Sequence, residues 1–106
     1  MIPRIKKMSV LDDYILFVEF DDGYKVLYDM KDDIKTLPSF RALVDVYGFF
    51  KQAQLDTSRT CVYWNDKIDL NSDSIYEYGK AVSYIPARNL PGTTSVRDNE
   101  LYLKAL

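Results

Sequence analysis

The segment Asp69-Leu70-Asn71-Ser72-Asp73, running on to Glu77, places oxygen-bearing side chains at alternate positions. That spacing is how a calcium-binding loop begins. Such a loop also needs glycine at its sixth position, for a sharp turn, and a bidentate glutamate at its twelfth. Counted from Asp69, those positions hold Ser74 and Lys80. A lysine ammonium repels a divalent cation, so no metal site is expected. The same residues suit a helix start. Ser74 followed by Glu77 is a capping box that satisfies two orphan amides, with Asn71 and Ser72 as alternative caps. Ile75, Tyr78, Gly79 and Val82 then fall on one face at helical spacing.

Other reactive chemistry is scarce. The chain has no histidine, so the commonest general base and neutral metal ligand is missing. Cys61 is the only cysteine, which excludes an internal disulfide. Without a base beside it, Cys61 reads as a small buried hydrophobe in a strand. The pairs Asp12-Asp13, Asp21-Asp22 and Asp32-Asp33 offer carboxylates for acid–base work. Each lies at an expected turn or helix start, where aspartate bonds nearby amides. No catalytic residue, cofactor or metal ligand is therefore assigned, and the chain is not expected to be an enzyme. Arg4, Lys6 and Lys7 form the one basic cluster and are the candidate phosphate contacts. Lysines guarding a sheet edge account for the same pattern. Trp64 is a candidate partner anchor, although a tryptophan at a strand end beside Val62 also suits a core.

Composition narrows the class. The chain has 106 residues, 47% of them hydrophobic, enough for one domain with a core. Nine tyrosines suit half-buried strands and contact surfaces, because each offers an apolar ring and a polar tip. A net charge of −2 disfavours nucleic-acid binding and a polybasic membrane surface. The N-terminus carries charge without an apolar stretch, and no long apolar run occurs after it. Neither a signal peptide nor a membrane span is expected, and the cytoplasm is the default location.

The elements follow from periodicity. Tyr14 to Phe20 is mostly apolar on both alternating sets, Glu19 apart, as a central strand covered on both faces would be. An earlier strand, Ile5 to Leu11, meets it through Asp12-Asp13. A later one, from Tyr24 to Tyr28, comes after Asp22-Gly23, expected to be a two-residue turn with positive φ at both positions. These three form an antiparallel meander. After Met30 the period changes, and one short helix is expected, capped by Ser39 and carrying Phe40, Leu43 and Val44. Gly48 ends a further turn. Gln52 to Asp56, a turn at Thr57-Ser58-Arg59, Thr60 to Trp64, and Ile68 to Leu70 read as strands. The fold class is α+β: an antiparallel β-meander with two or three short helices packed on the sheet, over residues 1–83. Residues 84–106 form a C-terminal extension. Pro86 and Pro91-Gly92 break it, and Ser95 with Asp98 suggests another helix start before Leu101, Leu103 and Leu106. Tyr84, Leu101 and Leu103 are its candidate contacts, with docking on its own sheet or on a partner chain equally open.

In order and spacing, Leu11-Asp12-Asp13-Tyr14, Phe20-Asp21-Asp22-Gly23, Tyr28-Asp29, Phe40 with Leu43, Phe50-Lys51, Trp64, Asp69-Leu70 and Ile75-Tyr76 resemble a bacterial family. It is known as domain of unknown function 2442. The likeness runs from about Ile5 to Tyr76. It departs at Asn65 and Lys67, where the family pattern has proline and glycine, so a different turn is expected there. The resemblance implies a small α+β domain and genomic pairing with another small protein, in a manner similar to toxin–antitoxin organisation. The expected function is a non-enzymatic protein-interaction module, the antitoxin-like or adaptor member of a two-protein system. Its expected partner is a small protein encoded next to it, or a second copy of the chain, with no membrane contact. The alternative is a nucleic-acid-associated transcriptional regulator, with Arg88 and Arg97 joining the basic cluster.

Overall fold

Alternation organises the first third of the chain. In strand β2, Ile15–Phe20, the side chains of Leu16, Val18 and Phe20 share one face and are buried. Phe17 on the opposite face is buried too, so the strand is covered on both sides. In the computed structural model, which describes residues 2–83, β2 lies between β1 (Ile5–Val10) and β3 (Lys25–Asp29) in an antiparallel meander. A two-residue strand β7, Lys80–Ala81, pairs with the far side of β3 to give the order β1-β2-β3-β7. A second antiparallel sheet holds β4 (Gln54–Leu55), β5 (Cys61–Asn65) and β6 (Ile68–Asn71). Helices α1 (Lys31–Thr36), α2 (Ala42–Asp45) and α3 (Ser72–Tyr78) complete an α+β fold, with short 3-10 turns at Pro38–Arg41 and Phe50–Gln52.

One core joins the inward faces of both sheets to the helices. Leu16, Val18, Phe20 and Val26 from the first sheet meet Val62, Trp64, Ile68 and Leu70 from the second, with Phe40, Leu43, Phe50 and Ile75 between them. Burying one such side chain contributes about 1.5–3 kcal/mol. The sheets are also tied at their ends. Ile5 N–H donates to the Arg59 carbonyl at 2.8 Å, and the Arg59 guanidinium reaches back to both oxygens of Asp21 at 2.7 and 2.9 Å.

Several local expectations are corrected. The second hairpin has a three-residue loop, Asp21-Asp22-Gly23, in which only Gly23 is left-handed, at φ 89°. Asp22 accepts the Tyr24 amide at 2.9 Å, a local bond that needs no positive φ. The left-handed pair occurs in the first turn instead, at Asp13 (φ 63°) and Tyr14 (φ 60°). Helix α1 was not expected, because Ile34 is its only buried residue and one apolar side chain leaves no period. Ser39 caps nothing. It lies inside the 3-10 turn opened by Pro38, and Val44 faces out while Phe40 and Leu43 face in. The capping box at Ser74 is also absent: α3 begins at Ser72, whose amide is taken by the Thr60 carbonyl, and Tyr78 is exposed. At the turn between β5 and β6, Asn65 Oδ1 accepts the amides of Lys67 and Ile68 at 2.8 and 2.9 Å. That pair of bonds closes the turn with no need for proline or glycine.

Gly79 ends α3 and lets the chain enter β7 at once. Its backbone angles are ordinary, so the reason for glycine is space. A Cβ there would stand 2.6 Å from the Ile75 carbonyl oxygen and 2.8 Å from Val26 Cβ. Gly79→Ala is therefore expected to destabilise the protein by about 1–3 kcal/mol through overpacking. Thermal denaturation should show a fall of roughly 4–8 °C per kcal/mol. An unchanged melting temperature would show that α3 is not held this close to β3.

Candidate functional site

The end of α2 and the segment after it carry apolar side chains that the core does not use. Val44 and Val46 are 38% and 52% exposed, and Tyr47 is fully exposed. Gly48, at φ 75°, turns the chain back so that Phe50 can enter the core. Between this segment and the first hairpin turn lies a cleft of about 400 Å³. Leu11, Tyr14, Leu43 and Phe50 form its apolar walls, and Val44, Val46 and Tyr47 stand at its mouth.

The floor is held rigidly. Trp64 Nε1 donates to the Phe50 carbonyl at 2.8 Å, and the two rings stack with centroids 5.8 Å apart. The Tyr14 ring packs on Phe50 as well, tilted, with centroids 5.2 Å apart. The left-handed backbone of Tyr14 aims its carbonyl at the Met30 amide, 2.8 Å away. The rim charges are paired. Lys51 Nζ lies 3.6 Å from Asp12, and Lys31 Nζ contacts Asp13 and Asp29 at 3.0 and 3.1 Å. An apolar cleft with a fixed aromatic floor and neutralised rim can seat an apolar side chain of another molecule.

Other concave places have less to offer. A cleft at Tyr28, Asp32, Asp33 and Tyr78 has its central phenol donating to Asp33 at 2.6 Å. Burial, with that carboxylate beside it, pushes the Tyr28 phenol far above its usual range. A wider cleft of about 650 Å³ borders Ile2, Pro3, Arg4, Asp21 and Asp22. Its carboxylates are engaged, Asp21 by Arg59 and Asp22 by the Tyr76 hydroxyl at 2.6 Å. No group of three potential metal-ligating side chains occurs among the described residues.

The residues singled out in the sequence do not converge. Trp64 is 6% exposed with its N–H spent internally, so it backs the Phe50 wall of the cleft from within the core and offers no ring to a partner. Cys61 is half-buried, and burial raises its thiol pKa. Arg4, Lys6 and Lys7 are exposed on and beside edge strand β1, where the register slips between Ile5 and Lys7. Lys6 lies 4.0 Å from Glu19, and the Asp21 amide bonds the Arg4 carbonyl, so carboxylates are interspersed with this basic group. The Asp pairs serve turns and a helix start. Tyr84, Leu101 and Leu103, with Arg88, Arg97 and the helix start at Ser95, lie outside the described residues. Sequence reasoning missed Val46 and Tyr47. Their signal was an apolar pair at a turn, directly before Gly48.

The family model described as protein of unknown function (DUF2442) matches residues 5–81. No curated protein and no solved structure matches the chain.

Three aspartates of the turns carry a pH dependence. Asp21 is held below the ordinary carboxylate value by its hydrogen bonds from Arg59, Asp22 by the Tyr76 hydroxyl, and Asp56 by the Ser58 hydroxyl. A folded pKa below the unfolded one means that acid protonates the unfolded chain first. The stabilisation is complete above the unfolded value, 3.8, and is lost as pH falls through the lower folded values. Urea midpoints should therefore hold level down to about pH 5 and drop below about pH 4. Asp21→Asn should show a lower midpoint at neutral pH and a shallower acid loss. An acid limb as steep in that variant as in the parent would remove Asp21 from the account.

Proposed function

The chain belongs to the family described as proteins of unknown function (DUF2442), and on that premise we propose that it is a non-enzymatic protein-interaction module. It acts as the antitoxin-like or adaptor member of a two-protein system, in the cytoplasm. One observation carries this reading: Val44, Val46 and Tyr47 stand exposed at the mouth of the cleft walled by Leu11, Tyr14, Leu43 and Phe50. Exposed apolar side chains grouped around a concavity mark contact surfaces. Tyrosine at the centre of such a group is a frequent energetic anchor. The floor is already ordered by the Trp64–Phe50 bond, so binding need not freeze it again.

The state of the reactive groups supports the non-enzymatic half. Burial raises the Cys61 thiol and the Tyr28 phenol, which keeps both in their protonated, poorly nucleophilic forms. The partner is a small protein encoded beside this one, presenting an apolar side chain to the cleft. Among the described residues, no helix is long and apolar enough to cross a membrane.

Co-expression with the product of the adjacent gene, followed by size exclusion with light scattering, tests the proposal. A complex of defined stoichiometry is expected. Val46→Ser with Tyr47→Ser should weaken it by about 30-fold or more, the effect of losing one hot spot. The melting temperature should stay unchanged, because neither side chain is in the core. Absence of a complex, or a double variant that binds as the parent does, would refute the assignment. A homodimer that dissociates in the double variant would replace the partner with a second copy.

A further inference from the structure

Two neighbouring residues of the first hairpin turn, Asp13 and Tyr14, are left-handed, at φ 63° and 60°. Aspartate tolerates that region, but a bulky side chain there is a true outlier. Each such residue is disfavoured by roughly tenfold in population relative to ordinary backbone. Strain of this kind persists only where its surroundings over-determine it, and it gathers at functional sites. Glycine in place of Tyr14 would relieve the strain. It would also delete the ring that packs on Phe50 and walls the cleft. The turn keeps the strained residue together with its ring.

The group that holds the turn is Lys31, the first residue of α1. Its ammonium has three donors, and three oxygens surround it. It donates to the Asp13 carbonyl at 2.8 Å and to Asp13 Oδ2 at 3.0 Å, and it lies 3.1 Å from Asp29 Oδ2. The Asp13 carbonyl belongs to the peptide unit that joins the two left-handed residues. Turning that plane over changes ψ of Asp13 and φ of Tyr14 together. It is the direct route by which Tyr14 returns to negative φ, and it carries the carbonyl away from Lys31. The next peptide unit is pinned as well, because Met30 N–H donates to the Tyr14 carbonyl at 2.8 Å. Lys31 also stands between the carboxylates of Asp13 and Asp29, which repel each other without it. A lone exposed ion pair contributes little, but here several bonds converge on one ammonium.

We propose that Lys31 is the positioning residue of the cleft: its ammonium clips the Asp13–Tyr14 peptide in the strained form, so that the Tyr14 ring stands ready for an apolar side chain of a partner. The partner's part in this rests on the interaction reading above, whereas the clip is a property of the free chain. Lys31 acts through Tyr14 and needs no contact with the partner itself.

Two variants separate charge from bulk. Lys31→Met keeps the apolar stem and loses the charge and donors, and Lys31→Arg keeps the charge. In the free chain, hydrogen exchange and ring-to-ring Overhauser contacts read the clip. The Met30 amide of Lys31→Met should exchange roughly tenfold faster, as release of one left-handed residue allows. The Tyr14–Phe50 ring contact should weaken, while amides in the middle of β2 keep the parent's protection. Affinity for the product of the adjacent gene reads the consequence. If the strained form falls to about a tenth of the population, apparent affinity falls about tenfold. That loss is expected in Lys31→Met, and Lys31→Arg should restore affinity, exchange and ring contact together. Parent-like exchange and ring contacts in Lys31→Met would overturn the proposal, whether or not a complex forms. So would protection lost throughout β2, a loosened turn with undiminished affinity, or a loss that arginine does not restore. A parent chain that forms no complex removes the interaction reading, and exchange and ring contacts then decide the clip alone.

Discussion

A buried hydrogen bond, from Trp64 Nε1 to the Phe50 carbonyl, fixes the second sheet against the segment that leads into it. Trp64 belongs to the second sheet, and Phe50 opens the 3-10 turn Phe50–Gln52 that precedes that sheet. An indole N–H left unpaired in a core would cost about 1–3 kcal/mol, so this bond adds to the Arg59–Asp21 and Ile5–Arg59 ties that join the sheets at their ends. The ring stack carries that relation onward to Tyr14, and from Tyr14 to the start of α1 through the Met30 amide. The shape of the cleft is a by-product of this chain of contacts. Its walls are core residues seen from outside.

The arrangement divides the apolar surface into parts with different duties. The inner face of the four-stranded sheet is consumed by folding. The outer face has its own small cluster, Leu11, Phe17 and Val82, beside which the described fold ends. The Val44–Tyr47 segment is apolar without being folded inward, and it is the part that the proposed interaction uses. Several polar side chains hold turns, and some also tie distant segments together. Asp21, Asp22, Asp56 and Asn65 each hold a turn by bonding amides, hydroxyls or a guanidinium within reach. This explains why a chain rich in carboxylates assembles no group of them around a shared centre among the described residues.

Much of this was legible in the sequence. The meander of β1, β2 and β3 could be read because alternation is a strong signal over five or six residues. β5 and β6 could be read for the same reason. The helices were harder. α1 has one buried side chain, and α2 is four residues long, so neither shows a period. β7 pairs through two residues and was absorbed into the apparent run of α3, because Val82 sits at helical spacing from Ile75. The cleft was the least legible feature. Val44 has the right spacing to accompany Phe40 and Leu43 inward, and only the three-dimensional path through the 3-10 turn sends it out. Trp64 could be recognised as important from its type. Its place, as support behind Phe50 and not as contact, depended on a carbonyl fourteen residues earlier.

The strand edges have a consequence for how anything can attach. The two sheets have four free margins, and all are poor templates. β4 and β7 have two residues each, too few to recruit a foreign strand. β1 is six residues long, but Lys6 bulges from its ladder and Lys7 comes next. β6 runs straight into α3, which curtails its free side. Backbone-to-backbone extension, the route to fibril growth and to strand-swapped assemblies, is thus closed at every margin of the described fold. What remains for recognition is side-chain fit, which is selective in a way that bare amides and carbonyls are not.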